Sequence, residues 1–355
     1  MTTPTQTPCN LCGSTEHEQV SNRDRDGQAL QTMLCSGCGL VFSNPIPTDQ
    51  QLADYYATRY RKSYKGVERP KQYHVYRAGL SALQRLARVG SLVPAGGRVL
   101  DIGSGGGEFL YLLTQRGYRA TGVEPDLGYG GYSIQEYGID VRQAPLYAID
   151  LPANEFDLIT THHVMEHLRD PFQCFQRAYE MLKPGGVFVV EVPNVESKEH
   201  APHNRFHYAH IYNFNPKTME WMGHKAGFET HPVGMKSTND EVRAAFRKST
   251  SGARNPQMKE NYDHVRSVLR NHTTLKHFLS PTPWKRVAAA AHRLITEPHA
   301  SRGIKSGREI LDALYRSDNS ASTGSDTGHE LGRAGSTIEI APSNVPNAGG
   351  KRRAA

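Results

Sequence analysis

A glycine-rich loop between an apolar run and an amphipathic run constrains the fold of this chain more than any other feature. The stretch RVLDIGSGGGEFLYLL occupies residues 98–113. Arg98 to Ile102 has the pattern of a buried strand, and Glu108 to Gln115 that of a helix, with the glycines forming a tight turn between them. A strand, a turn and a helix in this order predict the start of a parallel α/β sheet.

The spacing of the loop residues separates two classes of nucleotide site. Gly103, Gly105 and Gly107 alternate after Asp101, whereas a dinucleotide fingerprint needs a third glycine at the place that Glu108 holds. The loop therefore does not fit NAD. We interpret it as a loop whose backbone approaches the methionine part of S-adenosylmethionine, with Asp101 near the ammonium group.

The next strand supplies a second contact for such a ligand. The run ATGVEP ends in Glu124, 21 residues after Gly103. A carboxylate at this place in a dinucleotide fold accepts hydrogen bonds from ribose hydroxyls. The same geometry predicts that Glu124 binds the ribose and that Pro125 lies against the adenine face.

The remaining pattern extends the sheet. Strand-like runs that alternate with helical stretches occupy residues 98–102, 120–124, 139–142, 156–161 and 186–192. This alternation predicts a doubly wound, mostly parallel sheet with ligands at the carboxyl ends of its strands. Pro171 to Leu182 is predicted to be a helix, because proline favours the first helical turn and Pro184 follows its end.

Four of the five cysteines form two matched pairs near the N-terminus, in CNLCG and CSGCG. Two such CxxC turns supply the four thiolates that tetrahedral Zn²⁺ accepts, and Asp26-Gly27 between them is a hairpin signal. We predict a zinc ribbon held by Cys9, Cys12, Cys35 and Cys38. A redox role is the alternative, but it ordinarily requires a βαβ context that is missing there.

Charge is distributed unevenly along the chain. Residues 240–355 contain 19 Lys and Arg against 11 Asp and Glu, whereas residues 1–239 contain 23 against 24. The near-neutral ribbon argues against nucleic-acid binding, which usually needs a basic face. The polar N-terminus has no secretory pattern and no apolar run reaches membrane-spanning length, so we expect a cytoplasmic protein.

Taken in order, these motifs resemble the class I S-adenosylmethionine-dependent methyltransferases, particularly bacterial ubiquinone-biosynthesis and sugar methyltransferases. Beyond the glycine loop, the resemblance rests on EFDLITTHHVMEHLRDP, LKPGGVFVVEVPN and HIYNFNPKTMEWMGHKAGFE, and it extends from about Arg98 to Glu229. It implies a seven-stranded sheet and S-adenosylmethionine as cofactor. The acidic residue that usually meets the adenine amino group is absent after strand three, so Gln143 or the backbone around Ala144 and Leu146 is expected to replace it.

The resemblance also places histidines at the active-site rim. His162, His163 and His167 follow strand four, where the transferred methyl group is expected to emerge. We expect His162 and His163 to line the cofactor and substrate site. His167 is interpreted either as a general base, because imidazole titrates near neutral pH, or as a structural residue bonded to backbone.

A second cluster, NRFHYAHIYNF, contributes His207, His210 and Tyr212, of which His210 and Tyr212 join His163 and His167 as candidate catalytic residues. It resembles the active-site segment of zinc-containing sugar C-methyltransferases, with His210 matching the histidine. Ala209 replaces the glutamate of that segment, and His207 replaces its tyrosine. This departure favours O-methylation of a hydroxyl, with His210 or His167 as the base.

Two segments outside the core have alternative interpretations. The segment YYATRYRKSYKGVERPKQYHVYRAG, residues 55–79, either closes over a phosphorylated substrate or packs as a linker helix.

Helical patterns over Asp240 to Lys248, Lys259 to Leu279 and Trp284 to Thr296 predict a helical insertion. Its basic helices either contact an anionic membrane surface or form a solvated face. STIEIAP, residues 336–342, is predicted to be the last strand of the sheet.

These observations divide the chain into five segments. They are a zinc ribbon (1–48), an aromatic and basic linker with a helix (49–92), the methyltransferase core (93–239), a helical insertion with a flexible segment (240–335), and a last strand with its tail (336–355).

We expect an enzyme that methylates a small molecule, a sugar or glycan-intermediate hydroxyl. The alternatives are an RNA methyltransferase, whose ribosomal relatives also join a zinc module to this fold, and a non-catalytic scaffold that binds the cofactor.

Overall fold

Parallel pairing of five central strands organises the structure, a computed structural model that describes residues 7–55, 70–238, 240–249, 259–300 and 306–323. The strands, numbered in chain order, are β1 (His17–Arg23), β2 (Ala29–Cys35), β3 (Val41–Ser43), β4 (Arg98–Ile102), β5 (Arg119–Val123), β6 (Asp140–Arg142), β7 (Phe156–His162), β8 (Leu182–Pro193), β9 (Tyr212–Asn213), β10 (Phe228–Ser237) and β11 (Glu241–Lys248).

The helices are α1 (Asp49–Tyr55), α2 (Gln72–Val89), α3 (Glu108–Gln115), α4 (Leu127–Tyr137), α5 (Pro171–Met181), α6 (Pro216–Lys225), α7 (Lys259–Asn271), α8 (Thr274–Phe278), α9 (Thr282–Ala300) and α10 (Gly307–Thr323). Met1–Arg316 form one unit. Ser317–Ala355 form a second unit, of which the structure describes only the end of α10.

The larger sheet has seven strands in the order β10-β11-β8-β7-β4-β5-β6. The strands from β4 to β8 pair in parallel, while β11 is antiparallel to both β8 and β10. The predicted doubly wound, mostly parallel sheet is therefore confirmed. The chain leaves β4 toward β5 on one side and returns to β7 on the other, which places a ligand-binding crevice at the carboxyl end of β4.

The sheet core forms because these strands are apolar on both faces. Leu100, Ile159 and Phe188 are fully buried in adjacent strands. Helix α5 covers the sheet and begins as predicted: the Asp170 carboxylate accepts a hydrogen bond from the N–H of Gln173, 3.0 Å away, and proline occupies the first turn.

The N-terminal ribbon is a smaller, four-stranded sheet in the order β1-β2-β3-β9. The predicted hairpin turn is present, with Gly27 at a φ of +80° and its N–H bonded to the carbonyl of Asp24. Strand β9 comes from far along the chain, since Tyr212 pairs with Phe42 of β3. The ribbon therefore incorporates part of the later histidine-rich segment.

The helix predicted over Asp240 to Lys248 is wrong. Residues 241–248 form β11, which lies between β10 and β8 in the sheet. In the run EVRAAFRK, Val242, Ala244 and Phe246 lie on one buried face. This period of two is typical of a strand, and the strand forms because it can pair with the edge of β8. Residues 336–342, which we predicted to be the last strand, lie outside the described residues. Among the described residues, α7 follows the β10–β11 hairpin.

The other flanking predictions have mixed outcomes. The expected helix over Lys259 to Leu279 is present as α7 and α8, and α9 covers Trp284 to Thr296. Most of the aromatic and basic linker, residues 56–69, lies outside the described residues. Within the described ranges, no helix combines the length and apolar character needed to cross a bilayer.

Phe246 tests the place of β11 in the sheet. Its ring is fully buried against Phe175, Phe228 and the backbone of Gly223. Phe246→Ala should lower the free energy of unfolding by about 3–5 kcal/mol in urea titrations, because it leaves a cavity. The control Val233→Ala, at a half-exposed position of β10, should have little effect. Equal stabilities of the two variants would contradict this packing.

Candidate cofactor and acceptor site

The glycine loop turns the chain back at the end of β4. The N–H of Gly103 donates to the carbonyl of Val123 at 2.7 Å. A Cβ on Gly103, whose φ is +76°, would lie 2.2 Å from a methyl of Val164, so a larger residue does not fit. Gly105 has a φ of +56°, but no atom of the described residues lies within 4 Å of its virtual Cβ. With Gly107 preceding α3, the loop thus leaves open space beside Gly105 for a ligand.

Glu124 closes the other side of this space. One carboxylate oxygen accepts the N–H of Gly105 at 2.8 Å, and the other accepts the N–H of Asp126 at 2.9 Å. A carboxylate oxygen can accept more than one hydrogen bond, so this group is chemically suited to bind ligand hydroxyls. Pro125 is exposed at the mouth of the crevice. The structure therefore brings together the two predicted halves of the nucleoside site.

Asp101 lies at the base of the crevice and is buried. Its carboxylate accepts the hydroxyl of Thr160 at 2.7 Å. Burial raises the pKa of Asp101 to about 6, although the Thr160 hydrogen bond opposes this shift. An ammonium group would favour the charged carboxylate, so Asp101 is suited to the predicted partner.

His162 occupies the next strand end but its ring is enclosed. The ring packs edge-on against Phe109, with centroids 5.5 Å apart, and its Nδ1 lies 3.6 Å from a Glu191 oxygen. Burial lowers the pKa of His162 to about 4, so the ring is neutral near pH 7. Its surroundings are those of a residue that supports the floor of the site.

Ala144 lies at the same edge of the sheet. Its N–H donates to the carbonyl of Arg142 at 3.0 Å, and that carbonyl also accepts the N–H of Glu124. The backbone after β6 is thus adjacent to the residue predicted to bind ribose. The contact of Ala144 with adenine stays a prediction.

His163 has an unusual backbone conformation, and carboxylates surround its ring. It is one of two non-glycine residues described with a positive φ, at +57°. Its ring nitrogens lie 3.6 Å from oxygens of both Glu166 and Glu241. Burial alone would lower the pKa of His163, but the surrounding carboxylates outweigh it and raise the pKa to about 10. His163 is therefore an imidazolium near pH 7 and is not suited to accept a proton.

Next to His163, the side chains of Glu166, His167 and His210 form a second ionisable group. Within the described residues, neither oxygen of the buried Glu166 carboxylate has a hydrogen-bond partner, and one oxygen lies 3.8 Å from Nε2 of His167. Nδ1 of His167 lies 2.9 Å from the carbonyl of Ala209. A carbonyl only accepts, so Nδ1 donates this hydrogen bond, and Nε2 is the ring nitrogen near Glu166. The ligand-type atoms of this trio lie within 4.8 Å of one another, as they also would in a divalent-metal site.

The ring of His210 packs edge-on against the ring of His167. Its ring centroid lies 4.9 Å from that of His167. Burial, and the nearby His167, lower the pKa of His210 to about 4. The structure therefore brings His167 and His210, the two candidate bases, next to each other.

Tyr212 is placed differently from the other candidate catalytic residues. It is buried in the ribbon sheet, where its ring stacks on Phe42 and its hydroxyl donates to the carbonyl of Arg169. Tyr212 therefore acts in packing. An unexpected pair lies nearby, since the hydroxyl of Tyr55 is 2.8 Å from Nε2 of His207.

The four ribbon cysteines form one cluster. The sulfur atoms of Cys9 and Cys38 are 3.6 Å apart, those of Cys12 and Cys35 are 3.4 Å apart, and all four lie within 4.8 Å of one another. Tetrahedral Zn–S bonds of about 2.3 Å imply sulfur separations of about 3.8 Å. The donor set and spacing therefore fit a four-coordinate soft metal ion.

The ribbon braces the segment that carries His207 and His210. Backbone N–H groups of Arg25 and Ser43 donate to the carbonyls of Phe206 and Ile211, at 2.7 and 2.8 Å. A change in the ribbon would therefore be transmitted directly to the acceptor side of the crevice.

Our sequence analysis missed the charged network around Glu191. This buried carboxylate of β8 accepts hydrogen bonds of 2.9 Å from both Arg88 and Arg243, and Arg85 lies 3.7 Å away. The sequence feature that could have indicated this network is the single glutamate inside the apolar run VFVVEVP. Its partners come from α2 and β11, which local patterns do not connect.

Comparisons with known proteins agree with this architecture. Residues 72–233 match the model of a methyltransferase domain. A ubiquinone biosynthesis O-methyltransferase of Pseudomonas entomophila is 38% identical over 101 residues, which cover 26% of this chain and 42% of that protein. The corresponding protein of Stutzerimonas stutzeri is 34% identical over 113 residues, covering 30% and 49%. The chain thus spans about half the length of these curated relatives.

Solved structures are similar at lower identity. A methyltransferase of Burkholderia thailandensis, solved with 1,6-didemethyltoxoflavin and S-adenosylhomocysteine, is 17% identical with a TM-score of 0.43, covering 59% of this chain and 96% of that one. An S-adenosylmethionine-dependent methyltransferase of Archaeoglobus fulgidus is 19% identical with a TM-score of 0.41, covering 54% and 100%.

The sheet order, the loop bonded to Glu124 and the match over residues 72–233 lead to the same assignment. Residues 72–233 therefore form a domain similar to those of the class I S-adenosylmethionine-dependent methyltransferases.

Proposed function

We propose that this protein transfers a methyl group from S-adenosylmethionine to a hydroxyl of a small-molecule acceptor, a sugar or glycan intermediate. The observation that carries the proposal is the Glu124 carboxylate, which bridges Gly105 and Asp126 beside open space. Glu124 would accept the ribose hydroxyls, and Asp101 would face the ammonium group. The similarity to ubiquinone biosynthesis O-methyltransferases supports oxygen as the acceptor atom.

The bound cofactor supplies an electrophilic methyl group on a sulfonium. An acceptor hydroxyl that took up this methyl group would have to lose its proton to the protein. We assign the uptake of this proton to Nε2 of His167, because the hydrogen bond from Nδ1 to Ala209 fixes the ring with Nε2 beside His210 and Glu166. Glu166 lies 3.8 Å away and would stabilise the resulting imidazolium.

We also propose that the cysteine cluster holds Zn²⁺ and has a structural role. Four thiolates leave no open coordination position for a substrate, as is usual for structural zinc. The thiols are free in the structure, and a reducing compartment, which we propose to be the cytoplasm, would keep them available to the metal.

Titration calorimetry with S-adenosylmethionine and S-adenosylhomocysteine tests the proposal. Glu124→Ala should weaken binding of both ligands at least about tenfold, because two hydroxyl contacts and the loop brace are lost. The control Glu260→Ala changes an exposed glutamate of α7 and should bind like the unmodified chain. Absence of binding to the unmodified, zinc-loaded protein would overturn the proposed function.

The same assay separates the roles of binding and proton uptake. His167→Gln should retain cofactor affinity but lose about 10²–10⁴-fold in turnover on an accepted sugar, which is the usual contribution of a general base. Full turnover by this variant would remove His167 from the mechanism without affecting the cofactor assignment.

Asp101 predicts a pH dependence of cofactor binding. Its pKa of about 6 in the free protein lies above the ordinary value of 3.8, so the carboxylate is charged above pH 6 and increasingly neutral below it. A cationic ligand favours the charged form, and affinity should fall by up to about tenfold per pH unit below pH 6. Calorimetry across this range should show the fall, and Asp101→Asn should show weaker binding without that slope. An identical slope in both proteins would contradict the role of Asp101.

Metal analysis tests the ribbon. The purified protein should contain about one zinc ion per chain, and Cys38→Ser should lose it and melt at lower temperature. Cys174→Ser is a matched control, because Cys174 is buried in α5 and is not one of the four clustered cysteines. Retention of zinc by Cys38→Ser together with its loss from Cys174→Ser would contradict the site.

A further inference from the structure

Helices α8 and α9 present a concentrated apolar surface. Nine large hydrophobic residues of the described chain are exposed, and five of them fall within residues 275–287. Those five, which we call the α8–α9 surface, are Leu275, Phe278, Leu279, Trp284 and Val287. Leu279 and Trp284 are 79% and 64% exposed. Grouped exposure of this kind marks an interaction surface, whereas scattered exposed residues do not.

The charged side chains in the sequence around this surface are all basic. Residues 264–296 contain six Lys and Arg and neither Asp nor Glu. Arg266 and Arg270 already bind Glu18 of the ribbon. Lys276 and Lys285, in contrast, lie beside the apolar residues on α8 and α9. The surface therefore combines apolar side chains with positive charge that the neighbouring sequence does not neutralise.

We propose that the α8–α9 surface docks the protein on an anionic lipid bilayer. Leu, Phe and Trp side chains partition into the boundary between headgroups and acyl chains, and lysines next to them are attracted to anionic headgroups. A second copy of this chain fits less well, because a symmetric contact would bring the same lysines together.

The surface is held by bonds to the protein rather than by a flexible tether. Thr273 caps α8, and His277 is buried beneath it with its Nδ1 3.3 Å from Nε2 of His272. On α9, Arg286 donates to the carbonyl of Glu199 at 2.7 Å. The apolar side chains are thus presented in a defined orientation.

These bonds also connect the surface to the acceptor side. Glu199 begins the stretch that leads to His207 and His210, and Arg205 in the same stretch contacts His272 at 2.5 Å. Docking would therefore place the acceptor side near the bilayer. If the proposed function holds, the acceptor class is a hydroxyl compound carried on a lipid.

Vesicle binding tests the docking independently of any methyl transfer. The full chain should co-sediment with vesicles of phosphatidylcholine and phosphatidylglycerol in equal amounts, but not with phosphatidylcholine alone, and salt should weaken the binding. The two tryptophans provide a second readout. In a Trp221→Phe background, Trp284 emission should shift to shorter wavelength when anionic vesicles are added, because the ring leaves water.

Paired variants locate the contact. Leu279→Ser with Trp284→Ser should reduce vesicle binding at least about tenfold. Lys276→Glu with Lys285→Glu should do the same, since each basic residue near an anionic surface contributes about fivefold. Val233→Ser, at an exposed apolar position on β10, should bind like the unmodified protein.

Three results would overturn the proposal. One is absence of binding to either vesicle type, and another is anionic-vesicle binding that the α8–α9 variants do not change. The third is a dimer in light scattering that Trp284→Ser dissociates while vesicles have no effect, which would assign the surface to a second copy. Cofactor affinity, measured in parallel, should be unchanged in every α8–α9 variant and so reports separately on the proposed function.

Discussion

Parallel pairing of β4 with β5 on one side and β7 on the other is the constraint on which the site depends. It brings three strand ends to one edge of the sheet and forces the following loops to share a small space. The carbonyl of Val123 accepts the N–H of Gly103, while Val164 fills the position that a Gly103 side chain would need. The crevice is thus a consequence of strand order, and the glycine loop is what makes this order sterically allowed.

Buried charge is arranged differently on the two sides of the crevice. On the cofactor side, Glu124 is satisfied by backbone N–H groups, which hold the loop before any ligand arrives. On the acceptor side, Glu166 has imidazoles around it but no hydrogen bond from the described residues. The nearby imidazoles oppose its burial and bring the pKa of Glu166 to about 2. A buried anion in such a setting favours the appearance of positive charge nearby, which suits a site where a proton is taken up.

The ribbon is held in place by contacts with elements from later in the chain. Its third strand pairs with β9, and Asn261 of α7 donates to the carbonyl of Cys38 at 2.9 Å. Lys225 of α6 similarly donates to the carbonyl of Asn10. The cysteine cluster is therefore joined to the core at several points, including the histidine segment. A metal bound there would stabilise the acceptor side without taking part in its chemistry.

Local patterns were sufficient for the parallel α/β class of the sheet and for the positions of the glycine loop, Glu124 and the paired cysteines, because each depends on neighbours within about twenty residues or on a repeated spacing. They were insufficient where a partner is distant in sequence. Residues 241–248, which we predicted to be helical, form a strand because they pair with the edge of β8, a partner about fifty residues away in sequence. Tyr212 entered the ribbon sheet through pairing with Phe42, and His163 became a cation because Glu166 and Glu241 converge on it. Backbone periodicity is encoded locally, whereas the charge state and role of a side chain depend on which distant groups the fold places beside it.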